Sequence, residues 1–220
     1  MIQLTRRALI CDETPSQVSA LRESFDSTHA IHLPGFLSGD LLDQVQRAIR
    51  SAAFYDRSHG KNGDIGREEC MADNSVLAML VLLANDSRLI ALVRSITGCA
   101  PIGCFDGRVY RMRGAAGHFD RWHSDTGVDR LIGMSVNLSE RAYEGGRFEL
   151  RSEHSDKVLW QIANTGPGDA VMFRISDDLV HRVTAVQGEN ARTAFAGWFQ
   201  SRPDFLSLLR SSTAAAPLGA

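Results

Sequence analysis

From Pro101 onward the chain changes texture, and that change limits the folds open to it. Segments become short, rich in Val, Ile, Phe and Trp, and are divided by Gly, Asn, Asp and Pro. Strands are expected near Cys104–Arg113, Arg121–Asp125, Leu131–Leu138, Arg147–Leu150, Val158–Ile162, Ala170–Arg174, Val180–Val186 and Arg192–Gln200. Turn chemistry lies between them at Gly145-Gly146, Gly166-Pro167-Gly168 and Gly188-Glu189-Asn190. About eight short strands joined this way favour a sandwich or jelly roll over a parallel sheet, whose strands would alternate with helices.

The first hundred residues read differently. Residues 1–30 are mixed and polar with no strong period, and read equally as an ordered arm or a frayed one. Ser38 is a good N-cap for a helix that places Leu41, Leu42, Val45, Ala48, Ile49 and Ala52 on one face. Tyr55 to Asp73 reads as a polar loop, with Gly60–Gly66 as a lid. Two further helices open at Asn74 and Asp86, and Gly98 closes the second in the left-handed position. The fold class expected is α+β with a mainly β core and N-terminal helices packed on one sheet. The expected division is a single domain over 1–220: arm and helices over 1–100, core over 101–202, and a C-terminal helix or disordered tail over 203–220.

Composition narrows the function. A net charge of −2 offers no field for nucleic acid or an anionic membrane. The longest apolar run, Val76 to Ala84, is too short to span a bilayer. Cys11, Cys70, Cys99 and Cys104 form no CxxC pair, and residues 1–20 lack a signal peptide's apolar core. These features point to a cytoplasmic domain of enzyme size, with its oligomeric state open.

The chemistry-bearing stretch is Arg121-Trp122-His123-Ser124-Asp125. On a strand, His123 and Asp125 share a face while Ser124 takes the other. An HxD pair alone reads more readily as a histidine oriented by a nearby carboxylate. The third candidate ligand is His181, 58 positions beyond His123, inside another strand-like run. A jelly roll that brings its second and seventh strands together would unite the three. Two imidazoles and a carboxylate on one side of a cation, with adjacent positions open, suit a non-haem Fe(II) oxygenase. Arg192 follows His181 by 11 positions on an otherwise apolar strand, where burial is costly without an anionic partner. Its planar fork fits a carboxylate.

These residues carry a resemblance. The chain is similar to the Fe(II)/2-oxoglutarate-dependent oxygenases, in their prolyl-4-hydroxylase-like branch. The matching pieces are Trp122-His123-Ser124-Asp125, Tyr143 to Leu150, Pro167 to Phe173, and His181 to Val186 running on to Arg192. Pro34-Gly35-Phe36-Leu37-Ser38 also resembles the start of the family's N-terminal helix. The resemblance implies a double-stranded β-helix (jelly roll, cupin-like), Fe(II) on His123, Asp125 and His181, and 2-oxoglutarate held by Arg192 with Tyr110. It also implies dioxygen as co-substrate and succinate and CO2 as products. Halogenating relatives replace the carboxylate ligand with a small residue, so Asp125 implies hydroxylation of an unactivated C–H bond. Ala194 departs from the family, which often has Ser or Thr two residues after the arginine.

Arg108 shares the Tyr110 face of its strand and is a candidate contact for a substrate or co-substrate carboxylate. Phe119 and Arg121 are further substrate candidates, and Trp122 reads as core. Arg130, Arg141 and Arg147 read as solvated surface, and His29, His32, His59 and His154 as loop or surface histidines. The substrate expected is a small molecule, either an amino acid or a natural-product intermediate, or else a peptidyl residue. The alternatives are a non-catalytic jelly-roll protein that binds metal or ligand without turnover, and a cupin-type enzyme without co-substrate.

Overall fold

A computed structural model describes residues 1–60, 65–127 and 129–207. The centre of the expected lid, 61–64, and the tail from 208 onward lie outside the described residues.

The β core is as expected. An extended antiparallel sheet runs in the order β3 (Ala30–Leu33), β12 (Ala170–Arg174), β8 (Arg130–Asn137), β15 (Arg192–Gln200), β6 (Cys104–Met112), β5 (Gly66–Met71) and β4 (Phe54–His59). Strand β7 (Phe119–Asp120) pairs with β5 off that path. A smaller sheet, β11 (Val158–Ile162), β10 (Phe148–Ser152) and β13 (Leu179–Val183), faces it. A two-residue ladder joins β9 (Glu144–Gly145) to β14 (Val186–Gln187).

The pleat divides the interior into two cores. On β6 and β12, Phe105, Val109, Ala170 and Met172 join the core beneath the helices. Their neighbours Tyr110, Met112, Val171 and Phe173 join the core between the sheets, with Phe148, Leu150 and Val183. Strands covered on both faces lose strict polar alternation, which explains why β12 reads as a continuous apolar run.

Three expected helices form: α2 (Gly39–Ser51), α3 (Ser75–Ala84) and α4 (Ser87–Thr97). Asn74 and Asp86 cap α3 and α4 through their side chains, and Gly98 ends α4 at φ 62. Ser38 stands at the N-cap of α2 without a side-chain hydrogen bond. Among the described residues no single helix is long and apolar enough to cross a membrane. The α3–α4 pair passes that test only jointly, bent by 54°, and its Leu80, Leu89, Val93 and Ile96 are buried in the helix-side core.

Two regions are decided by the structure. Of the ordered and frayed readings of residues 1–30 the ordered one holds: β1 (Ile2–Leu4) and β2 (Leu9–Cys11) pair, and α1 (Pro15–Thr28) follows. Thr14 and Gln17 form a capping box with Pro15 at the first turn, but Phe25 is the helix's one fully buried residue, so its apolar period is faint. Tyr55 to Asp73 is not the loop expected. It contains the β4–β5 hairpin, hidden in sequence because β5 turns Glu68, a charge, inward.

Candidate active site

The HxD pair does not continue a strand. Strand β7 stops at Asp120, and beyond it a single bridge joins His123 to His181, each N–H donating to the other's carbonyl at 3.0 Å. The Ser124 hydroxyl then accepts from the Thr126 N–H at 3.1 Å, turning the chain at the pair. The strand expected over Arg121–Asp125 is thus reduced to one residue of pairing, enough to set His123 and Asp125 beside β13.

On β13, Leu179, His181 and Val183 alternate onto the inner face. The Phe148 ring stacks on the His181 imidazole at 5.7 Å between centroids, and Phe173 packs against it at 4.5 Å. His123, Asp125 and His181 each offer one ligand atom, all within 4.8 Å of one another. His181 Nε2 lies 3.4 Å from Asp125 Oδ2, and His123 Nε2 lies 3.8 Å from Oδ1. Donors about 2.1 Å from one cation on adjacent octahedral positions stand roughly 3 Å apart, so small rotations close the set. His123 Nδ1 sits 2.7 Å from the Arg121 carbonyl, which fixes the proton there and leaves Nε2 free as a ligand atom.

Asp125 is held from behind. Trp198 Nε1 donates to its Oδ2 at 2.7 Å, and Arg130 Nη1 approaches Oδ1 at 3.4 Å. Burial works to raise the Asp125 pKa, but hydrogen bonding and charge from His181, with Trp198 and His123, outweigh it and hold the carboxyl below its usual range.

A cavity of about 260 Å³ opens over these ligands. Arg192 is 4% exposed at its wall, donates to the Tyr110 hydroxyl and to Ser135 Oγ, and has no carboxylate partner among the described residues. A buried guanidinium without an anion is a site made for one. Ala194 is buried and the Ser135 hydroxyl on β8 meets Arg192, so β8 supplies a hydroxyl contact that Ala194 cannot make.

Arg108 and Tyr110 line this cavity, whereas Phe119 and Arg121 face a neighbouring surface depression. Trp122 is not core: it is half-buried between the guanidiniums of Arg151 and Arg182, 4.7 and 4.6 Å from its ring. Arg130 is not solvated surface but lies 3.6 Å over the Trp198 ring. Reading the sequence alone missed Arg57, His59 and Glu68, which line the cavity from the hairpin taken for a loop. The signal available was their two-residue spacing, Arg57 with His59 and Glu68 with Cys70.

Comparison with known proteins points the same way. Residues 107–200, less than half of the chain but most of its β core, match the 2OG-Fe(II) oxygenase superfamily. That family uses Fe(II), 2-oxoglutarate and dioxygen. The fold of this chain is similar to a prolyl-4-hydroxylase from Pseudomonas putida (TM-score 0.59, 14% identity, 84% of this chain and 100% of that one). It is also similar to a prolyl hydroxylase from Trichoplax adhaerens solved with a peptide fragment of a hypoxia inducible factor (0.61, 13%, 92% and 94%). A third likeness is the epimerase SnoN from nogalamycin biosynthesis, described as non-heme and alpha ketoglutarate dependent (0.62, 15%, 94% and 94%). At these identities the likeness establishes the fold of this chain. No curated protein matches the sequence significantly.

Proposed function

We propose that this protein hydroxylates an unactivated C–H bond of a small molecule, with His123, Asp125 and His181 holding Fe(II) and Arg192 with Tyr110 holding 2-oxoglutarate. The observation that carries this reading is a facial His–Asp–His cluster and a buried, anion-free arginine lining one cavity. The donor set fits Fe(II): two imidazoles and a carboxylate, with no thiolate in the cavity wall. When bound, iron with 2-oxoglutarate and dioxygen supplies the oxidising equivalent, and succinate and CO2 are released.

The chain's own residues bind and orient. Trp198 fixes one oxygen of Asp125, so the carboxylate presents the other toward His123. The Arg192 fork takes the far carboxylate of 2-oxoglutarate, with the Tyr110 and Ser135 hydroxyls beside it. Phe148 and Phe173 shield His181 from water and hold its ring at one angle. The small cavity favours a compact substrate. The likeness to the peptide-bound Trichoplax enzyme favours a second reading, a peptidyl residue as substrate.

The test is release of labelled CO2 from carboxyl-labelled 2-oxoglutarate on addition of Fe(II) to metal-free protein. Fe(II)-dependent release that Asp125→Ala abolishes is the expected result. No turnover together with no Fe(II) or Mn(II) binding would leave a jelly roll that has lost the chemistry.

A further inference from the structure

The cavity carries more positive charge than iron and co-substrate require. Four arginines line it, Arg57, Arg108, Arg130 and Arg192, against three carboxylates, Glu68, Asp120 and Asp125. On the proposed reading the iron dication and the 2-oxoglutarate dianion cancel, and Arg192, which binds that dianion, is offset by the charge of Asp120. Arg130 lies against Asp125, and Asp120 lies 3.6 and 3.4 Å from His59 and His123. The excess cation therefore sits in the remaining group, Arg57, Glu68 and Arg108.

That group is asymmetric in a useful way. Arg57 Nη1 and Arg108 Nε both donate to the same oxygen, Glu68 Oε1, at 2.8 and 3.2 Å. Two guanidiniums thus share one carboxylate oxygen. Arg108 spends its inner nitrogen on Glu68, so Nη1 and Nη2 have no partner among the described residues. A fork fixed at its base with both tips free is preorganised for a planar bidentate anion. Arg108 also lies 5.4 Å from the Trp198 ring, whose indole nitrogen binds Asp125. A ligand anchored on Arg108 runs along that ring toward the metal ligands.

We infer that the substrate is a compact free carboxylic acid whose carboxylate is bound by the Arg108 fork, with Arg57 and Glu68 setting its charge. This rests on the proposed Fe(II)/2-oxoglutarate site and names the substrate class for it. A mid-chain peptidyl residue other than Asp or Glu has no carboxylate to offer and would leave the excess charge unmatched in the partly buried cavity.

The experiment uses the full chain loaded with Mn(II) and 2-oxoglutarate, which binds substrate without turnover. The ligands are the twenty protein L-amino acids and straight-chain and aromatic monocarboxylic acids, each beside its primary amide, read by tryptophan fluorescence. At least one acid should bind, and at least tenfold more tightly than its amide. Arg108→Gln should bring that acid to the level of its amide, and Arg108→Lys should restore part of the difference. Glu68→Gln, which keeps a hydrogen-bond acceptor while removing the competing charge, should tighten acid binding several-fold. A purely structural Glu68 would not give this opposite sign. With the Mn(II)–2-oxoglutarate complex formed, the inference is overturned if amides bind as well as acids, if no acid binds, or if Arg108→Gln keeps the preference. Failure of wild-type protein to form that complex would instead strike the proposed site itself.

Discussion

Trp198 Nε1 donates a 2.7 Å hydrogen bond to Oδ2 of Asp125, joining the last long strand to the HxD loop 73 residues upstream. The bond holds a carboxylate that no strand holds, since regular pairing ends at Asp120. Trp198→Phe keeps the ring that stacks beneath Arg130 but loses the donor. Metal affinity should fall about 10- to 100-fold, the usual range for such a supporting partner. Titration of the apoprotein with Mn(II) measures it, and an unchanged affinity would mean the loop positions Asp125 unaided.

Asp125→Ala removes one of the three proposed ligand atoms. Its loss of metal affinity should exceed about 100-fold, the upper end for a supporting partner, and 2-oxoglutarate turnover should vanish with it. Full turnover in this variant would take Asp125 out of the metal shell.

Arg192 separates binding from folding. It is buried with no carboxylate partner among the described residues, so Arg192→Met removes an uncompensated charge and should leave the ligand-free melting temperature unchanged or raised. The same variant should lose about 10- to 150-fold in 2-oxoglutarate affinity, the equivalent of ~1.5–3 kcal/mol for a charged hydrogen-bonded pair. Thermal melts with and without 2-oxoglutarate read both effects. A large loss of stability without ligand would contradict this account of the residue.

Gly133 stands opposite Phe173 in the β8–β12 ladder, and a Cβ there would lie 2.2 Å from the ring's Cζ. Phe173 packs on His181 in turn. Gly133→Ala should therefore cost ~1–3 kcal/mol of stability as an overpacked site and weaken metal binding through the displaced imidazole. Urea unfolding and Mn(II) titration on one preparation would show whether the two losses travel together.

Burial, reinforced by the Glu68 charge, raises the Cys70 thiol to about 11. The folded value stands above the unfolded one near 8.5. Its stabilising contribution is thus complete below about pH 8.5 and is lost as pH rises toward 11. Stability measured by urea should fall between pH 8 and 10.5, and less steeply in Cys70→Ala. At pH 8 iodoacetamide should modify the exposed Cys11 and spare Cys70. Equal slopes in the two proteins would assign the alkaline loss elsewhere.

Much of this was legible in the residues. The strands from Cys104 to Gln200 other than the one expected over Arg121–Asp125, and the caps of α3 and α4, follow from local pattern, and spacing with the family resemblance picked out His123, Asp125, His181 and Arg192 as candidates. The failures share a cause. In β5 and around Arg130 the charged side chains face inward, so polarity no longer reports exposure. Trp122 errs the other way, an indole kept at the surface by Arg151 and Arg182.

The sequence by itself determined a β-rich core and the candidate ligand residues within it, because alternation, turn chemistry and donor type are local properties. Only the tertiary structure decided that Arg57 and Arg108 meet on Glu68, and that Arg192 is buried with no carboxylate partner among the described residues. Those facts depend on which strands become neighbours, and a buried charge is intelligible only when the group across from it is known.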